Sequence, residues 1–259
     1  TDHGAMYGVV EFFKQAKKTG IKPILGFEAY VSPRGMMDKD PQKDKSQFHL
    51  VLLAENYEGY KNIIKLCSIG FVDGYYYKPR IDHETLRQYS NGIIALSACL
   101  AGEVQSYLLD NNYEEAVRTA LMYKDIFGEN NFFLEMQDHG MEEQQHVNKG
   151  LVKMSHETGL RLVATNDVHY INKEDAYFHD VLLCIQMQKN IMDEDRMKFP
   201  TDEFYLKSYE EMAELFPEEA LNNTAEIAER CNVELDFNTV HLPEFKIPQN
   251  YTKTEYFRE

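Results

Sequence analysis

The 259-residue sequence predicts an α/β protein in which a largely parallel sheet closes into a barrel. Three observations predict it. Apolar runs with strand character alternate with segments of helical spacing from residue 5 to residue 187, the pattern of strands joined by right-handed crossover helices. Polar residues able to bind metal recur just past the ends of several of those strands, where α/β barrels build their active sites. No Gly-rich GxGxxG turn marks the dinucleotide crevice of an open doubly wound sheet, so closure is the better reading.

In 5–19, Met6, Val9, Val10, Phe13 and Ala16 share one helical face and Lys14, Lys17 and Lys18 the other, and Gly20 stops the helix. Lys22 to Val31 reads as a strand, 32–46 as an exposed polar loop, Phe48 to Ala54 as a buried strand, and Tyr57 to Ile69 as an amphipathic helix. Gly70 to Ile81 is an aromatic, basic loop holding Tyr75-Tyr76-Tyr77-Lys78-Pro79-Arg80, and Asp82 can cap a short helix. Gly92 to Ala98 is an apolar strand, followed by helices near 101–109 and 112–127, a strand Asn131 to Gln137, a helix 141–158, a strand Leu160 to Thr165 and a helix 174–187. The barrel is assigned to 1–195. Beyond it, 196–259 reads as a helical and extended linker: a short strand Phe204 to Leu206, a helix opened by the capping box Ser208-Tyr209-Glu210-Glu211, a helix near 218–231, and a stretch with Pro243 and Pro248.

Composition limits the function. The chain is 43% hydrophobic and 12% aromatic, enough for one large domain or a domain with an appendage, and no apolar run is long enough to span a bilayer. Cys67, Cys99, Cys184 and Cys231 form no CxxC pair, which fits a reducing cytoplasm better than a disulfide framework. A formal charge of −16 makes the chain a poor candidate for gripping duplex DNA by itself, because phosphate neutralisation needs cations. Metal ions at a site, or basic surface from a longer protein, would supply them. The chain is read as a piece of a longer polypeptide: it opens on a polar motif that would follow a buried strand, and stops in what reads as a starting helix.

Seven residues carry the site chemistry: Asp2, His3, Glu28, His49, Cys99, Asp167 and His169, all of types that bind zinc, manganese or iron. Asp167 and His169 follow the strand Leu160 to Ala164, and a D-x-H pair points both side chains to one side of the chain. The other reading makes Asp167 a helix cap. Asp2 can also cap, which leaves His3 the stronger candidate. Glu28 lies among apolar neighbours, where a carboxylate is costly to bury unless paired or coordinated, or else sits on an exposed edge. His49 lies at a strand start rather than a strand end, so a satisfied core histidine is as good a reading. Cys99 alone reads as a small buried hydrophobe. His139, after the strand Phe132 to Met136, is a candidate for acid–base work or substrate contact, with a loop histidine as the alternative. Lys78 and Arg80 are candidates to hold phosphate or stack on bases, with a solvated loop as the alternative. His83, His146, His156, His179 and His241 are read as structural.

These motifs together carry a resemblance. Thr1-Asp2-His3-Gly4-Ala5-Met6-Tyr7-Gly8, Gly20 to Glu28, His49 to Asn56, Tyr76 to Asp82, Leu96 to Glu103 and Ala164 to Tyr170 resemble the polymerase and histidinol phosphatase (PHP) domain of bacterial replicative DNA polymerase III alpha chains, over nearly the whole sequence. Glu218 to Asn232 resembles the helix that leads toward the polymerase palm. The resemblance implies a distorted (β/α)7 barrel with two to three divalent ions, zinc, manganese or iron, at the C-terminal ends of its strands. It implies His3, Glu28, His49, Cys99, Asp167 and His169 as ligands. The family's His-x-His motif, on the first barrel strand, is expected before Thr1, so this chain is expected to lack that strand. The activity implied is metal-dependent phosphoester hydrolysis, as 3′–5′ exonuclease proofreading, beside polymerisation by carboxylates beyond Glu259. DNA, the rest of the polymerase and a sliding clamp are the implied partners, with no membrane. Two other functions compete: a scaffold module without catalysis, and a freestanding phosphatase such as histidinol phosphatase. The Tyr-Tyr-Lys-Pro-Arg loop and the residues after 195 favour the polymerase branch.

Overall fold

The computed structural model describes residues 1–240, 242 and 245–259. His241 and Pro243 lie outside the described residues. The chain runs β1 (Asp2–His3), α1 (Val9–Lys18), β2 (Gly26–Val31), β3 (Phe48–Ala54), α2 (Tyr57–Val72), β4 (Arg80–Ile81), α3 (His83–Gln88) and β5 (Ile93–Leu96). It continues with α4 (Glu103–Leu109), α5 (Tyr113–Phe127), β6 (Phe132–Met136), α6 (Glu142–Thr158), β7 (Arg161–Ala164), α7 (Ala176–Met187), α8 (Tyr209–Leu215), α9 (Glu218–Arg230) and α10 (Lys253–Arg258). Local chemistry sets many of the boundaries. Asn56 and Asp82 accept backbone N–H groups at the starts of α2 and α3, and Ser208 with Glu211 forms the expected capping box of α8. Pro23 offers no N–H to a ladder, and β2 starts only at Gly26 rather than at Lys22. Residues expected as a loop instead extend α2 to Val72 and form β4, while the short strand expected at 204–206 is a single bridge between Tyr170 and Tyr205.

Among the described residues the strands form one seven-stranded sheet in the order β1-β2-β3-β5-β6-β7, with β4 also on β2. The sheet is mixed. Pairs β1·β2, β2·β4, β5·β6 and β6·β7 are parallel, but β3 runs antiparallel to both its neighbours. The expected largely parallel sheet is present, with four of its six strand pairs parallel, and β3 is the exception. A loop rather than a helix joins β2 to β3, and a chain that returns without a crossover runs antiparallel. The two ends, β1 and β7, are not hydrogen-bonded to each other; both flank one cavity of about 570 Å³.

Alternation along the strands separates two faces. Phe27, Ala29, Leu50, Leu52, Ile93, Ala95, Phe132, Leu134 and Leu162 pack outward into the main core beneath the helices. Val51, Leu53, Ile94, Leu96, Phe133 and Val163 form a smaller inner cluster, joined by Ile227 of α9 and by Cys231. Residues after 195, expected as a linker leading away, thus help to close the inner face. Asn223 donates to the Leu162 carbonyl (2.7 Å), Thr224 to that of Ala164 (2.7 Å), and Arg230 pairs with Glu55 (2.9 Å). Met212, Phe216, Ala220 and Leu221 lie in the main core, so packing is continuous across the expected boundary. No helix among the described residues is long and apolar enough to cross a membrane.

Candidate metal centre

The apolar inner cluster ends where the polar residues begin, at the C-terminal ends of the parallel strands. The cavity there is floored by Ile24, Val51, Leu53 and Leu96 and walled by His3, Glu28, Cys99, Glu135, Asp167 and His169. Register brings His3 beside Glu28, since the two are partners in the β1·β2 pair; Asp2 pairs with Phe27 instead and is exposed. Gly4 turns the chain away with φ +64°, and a side chain there would meet the Tyr30 ring at 2.6 Å.

His49 now has a physical explanation. Because β3 is antiparallel, its first residues lie where its neighbours have their last ones. His49 pairs with Tyr30, two residues past Glu28, and shares the inner face with Val51 and Glu28. Its Nδ1 hydrogen-bonds Glu28 Oε1, and His3 Nδ1 lies 3.5 Å from Glu28 Oε2. The ligand atoms of His3, Glu28 and His49 all fall within 4.8 Å of one another. Cys99 joins them, with Sγ 3.5 Å from His49 Nδ1 and 3.9 Å from Glu28 Oε1. The Cys99 loop is folded across β3 by a bridge between His49 and Gly102.

Charge is organised around this group. Burial alone would raise the Glu28 carboxyl, but the hydrogen bond from His49 and the nearby charges of His49, His3 and His169 outweigh it and hold it below the ordinary value. Burial pushes the Cys99 thiol well up, and the carboxylates of Glu28, Asp167 and Glu135 add to the rise. A cation reverses that balance, because thiolate and carboxylate are the forms that bind metal. Two imidazoles, a carboxylate and a thiol are a donor set that zinc, manganese or iron accepts, so the residues fit the implied metal.

Asp167 and His169 face the same cavity from the loop after β7, outside the compact group of three. Asp167 sits at φ +46°. His169 Nδ1 bonds the Asp167 carbonyl (2.9 Å), which fixes the ring, and the ring packs edge-on to Phe199 at 4.8 Å and to His179 at 5.7 Å. The loop is tied down where the His169 N–H donates to the Phe204 carbonyl (2.9 Å).

The other three sequence candidates are placed differently. Arg80 is fully buried, and its guanidinium donates to the carbonyls of Gly74, Asp44, Met36 and Asp38 while resting 5.1 Å from the Tyr76 ring. It clamps the loop 34–44 rather than facing phosphate, because its guanidinium N–H groups are turned inward onto these carbonyls. His139 is 1% exposed, stacked on Phe204 at 3.9 Å, with Nε2 on the Asn166 carbonyl (2.9 Å) and Nδ1 on Gln144 (2.8 Å). Both nitrogens are engaged, the ring braces the segment before Asp167, and burial lowers its pKa. Lys78 is exposed, with Nζ 5.5 Å from the ring of Tyr30, which itself packs 5.2 Å from His49.

Sequence reasoning missed Glu135. It lies on the inner face of β6, 4% exposed, and burial pushes its carboxyl up to about 7. The signal was available: like Glu28, it is a lone carboxylate inside an apolar strand, near that strand's end.

A model of the PHP domain family matches residues 1–139. The chain belongs to the PHP domain family. It is 46% identical over 261 residues to a protein named DNA polymerase III subunit alpha from Borreliella burgdorferi, 45% over 270 residues to one from Deinococcus radiodurans, and 44% over 269 residues to one from Thermus aquaticus. These matches cover 99%, 100% and 100% of this chain and 23%, 20% and 22% of the relatives, so the chain spans about a fifth of their length. The PHP assignment agrees with the α/β sheet, the strand-end cavity and the His–Glu–His group described above.

Proposed function

We propose that the chain is the PHP domain of a bacterial replicative DNA polymerase III alpha polypeptide, and that it hydrolyses phosphodiesters with two to three bound divalent ions, as a 3′–5′ exonuclease. The observation that carries this reading is the convergence of His3, Glu28 and His49, with Cys99 against them, in a cavity also walled by Asp167 and His169. The relatives' name supplies the polymerase setting.

When bound, divalent ions supply Lewis acidity toward a phosphate oxygen and a route to a water nucleophile at neutral pH. The chain's own residues do the rest. Glu28, shared between two histidines, is kept ionised and oriented. His169 is held by its Nδ1 contact, which leaves Nε2 as the ligand atom. The floor of Val51, Leu53 and Leu96 is apolar and keeps the donors in a low-dielectric setting where their charge interactions are stronger. Lys78, over the Tyr30 ring that packs on His49, is a counter-charge for an entering strand. With a charge of −16 this domain leaves the grip on DNA, and contact with a sliding clamp, to the remainder of the polypeptide.

Elemental analysis and nuclease assay of the complete polypeptide test the proposal. Two to three equivalents of metal with exonuclease activity are expected, and Asp167→Ala or His169→Ala should lower both, the rate by about 10–100-fold, while sparing polymerisation. A polypeptide that neither holds nor takes up metal would favour a scaffold role instead.

A further inference from the structure

Glu135 is not among the ligands implied by the family resemblance, yet it reaches both loops that bring ligands into the cavity. Its strand, β6, lies between β5 and β7 in the sheet. On one side, its Oε2 accepts the N–H of Ala98 at 3.0 Å. On the other, its Oε1 accepts the hydroxyl of Thr165 at 2.5 Å and the amide of Gln137 at 3.0 Å. Ala98 immediately precedes Cys99, and Thr165 lies two residues before Asp167.

Both loops need holding. Ala98 has φ +66° and Asp167 has φ +46°, left-handed conformations that a non-glycine residue keeps only when its surroundings enforce them. Around Ala98 the enforcement is visible. The Glu135 N–H donates to Ser97 Oγ (2.8 Å), and Gln105 Nε2 donates to Ser97 Oγ (2.6 Å) and to the Ala98 carbonyl (3.0 Å). The N–H of Ala98 is fixed by the carboxylate and its carbonyl by Gln105, which sets the direction of the next side chain, Cys99.

We propose that Glu135 is a positioning residue of the metal centre: its buried carboxylate spans β5 and β7 and holds the Cys99 and Asp167 loops together so that both ligands face one cavity. The inference rests on the metal reading given above. Geometry rather than charge is the working property, which makes a glutamine an adequate replacement. In Glu135→Gln the new side-chain oxygen can accept from Ala98, and the new amide can donate to Thr165 and to Gln137, whose Oε1 has no hydrogen-bond partner among the described residues and can turn to accept.

Cobalt(II) loading of the complete polypeptide tests this, because a thiolate ligand gives a thiolate-to-cobalt charge-transfer band that a Cys99→Ser control assigns. E135A should lose that band and bind cobalt at least about tenfold more weakly, as removal of supporting partners does at metal sites. E135Q should keep the band and an affinity within about threefold. An E135A protein with an unchanged band overturns the proposal. An E135Q protein as damaged as E135A also overturns it, since charge or direct ligation would then be the role. If E135A does not fold, Thr165→Val removes one arm alone: it should keep the Cys99 band and lower cobalt stoichiometry, and unchanged stoichiometry counts against the proposal. Failure of the unaltered polypeptide to take up cobalt is a separate result, which sinks the metal reading and this inference with it.

Discussion

The centre is built in two ways, and the two halves behave differently. Glu28 and His49 stand on adjacent strands, β2 and β3, whose ladder fixes their spacing without help from other side chains. Cys99 and Asp167 stand on loops after β5 and β7, beside or within left-handed backbone, and depend on Glu135, Gln105 and Thr165 for their direction. The compact His3–Glu28–His49 group is already assembled, while Asp167 and His169 line the cavity more loosely. A ladder-borne pair is rigid because its geometry is the fold's own; a loop-borne pair is only as good as its braces.

Glu28→Ala removes the carboxylate common to both histidines and should weaken metal binding more than about 100-fold, beyond what a supporting residue costs. A metal titration checks it; retained affinity would mean that the strand-borne group is not the primary site. Next in size is a pH effect in metal-free protein. Glu135 has a folded pKa of about 7 against an ordinary 4.5, so its contribution is fully present below 4.5 and is lost as pH rises toward 7, about 3 kcal/mol in all. Glu28 has the opposite sign, because its folded pKa is lowered, and its contribution is lost only as pH falls below 4.5. Denaturant melts at pH 5 and pH 7 should show the first change, and E135Q should abolish it.

A smaller effect comes from Gly102→Ala, whose new methyl would lie 2.0 Å from the Ser97 carbonyl. It should cost about 1–3 kcal/mol and disturb Cys99 before Glu28. Thermal melting, with the cobalt–thiolate band as a local readout, separates the two. The smallest expected change is Lys78→Ala, an exposed cation, which should raise KM for a single-stranded substrate a few-fold, about 0.5–1 kcal/mol, with kcat unchanged.

Much of the fold could be read from residue pattern. Phe48 to Ala54 matches β3 in full, because an apolar run flanked by polar segments has little else to become. Direction could not be read. A strand buried on both faces carries no mark of which way it runs, so the antiparallel β3 stayed hidden, and with it the reason for His49. The two-residue β4 is too short to show a period, and Arg80 inside it looked like a surface cation because nothing in a sequence shows four carbonyls closing around a guanidinium. Glu28, Asp167 and His169 stood out by position, whereas Cys99 needed the family resemblance and Glu135 needed the structure. The last two depend on contacts between loops far apart in sequence.

The antiparallel β2·β3 pair also bears on how the chain avoids misfolding. β3 carries apolar residues on both faces, so a slip of one residue would exchange Val51 and Leu53 for Leu50 and Leu52 at little hydrophobic cost. Glu28 and His49 remove that tolerance. A slipped strand would drive an imidazole or a carboxylate into the outer core and separate the pair. The residues proposed to hold a cation therefore also select the alignment of their own strands, and a misaligned isomer would lack the Glu28–His49 contact.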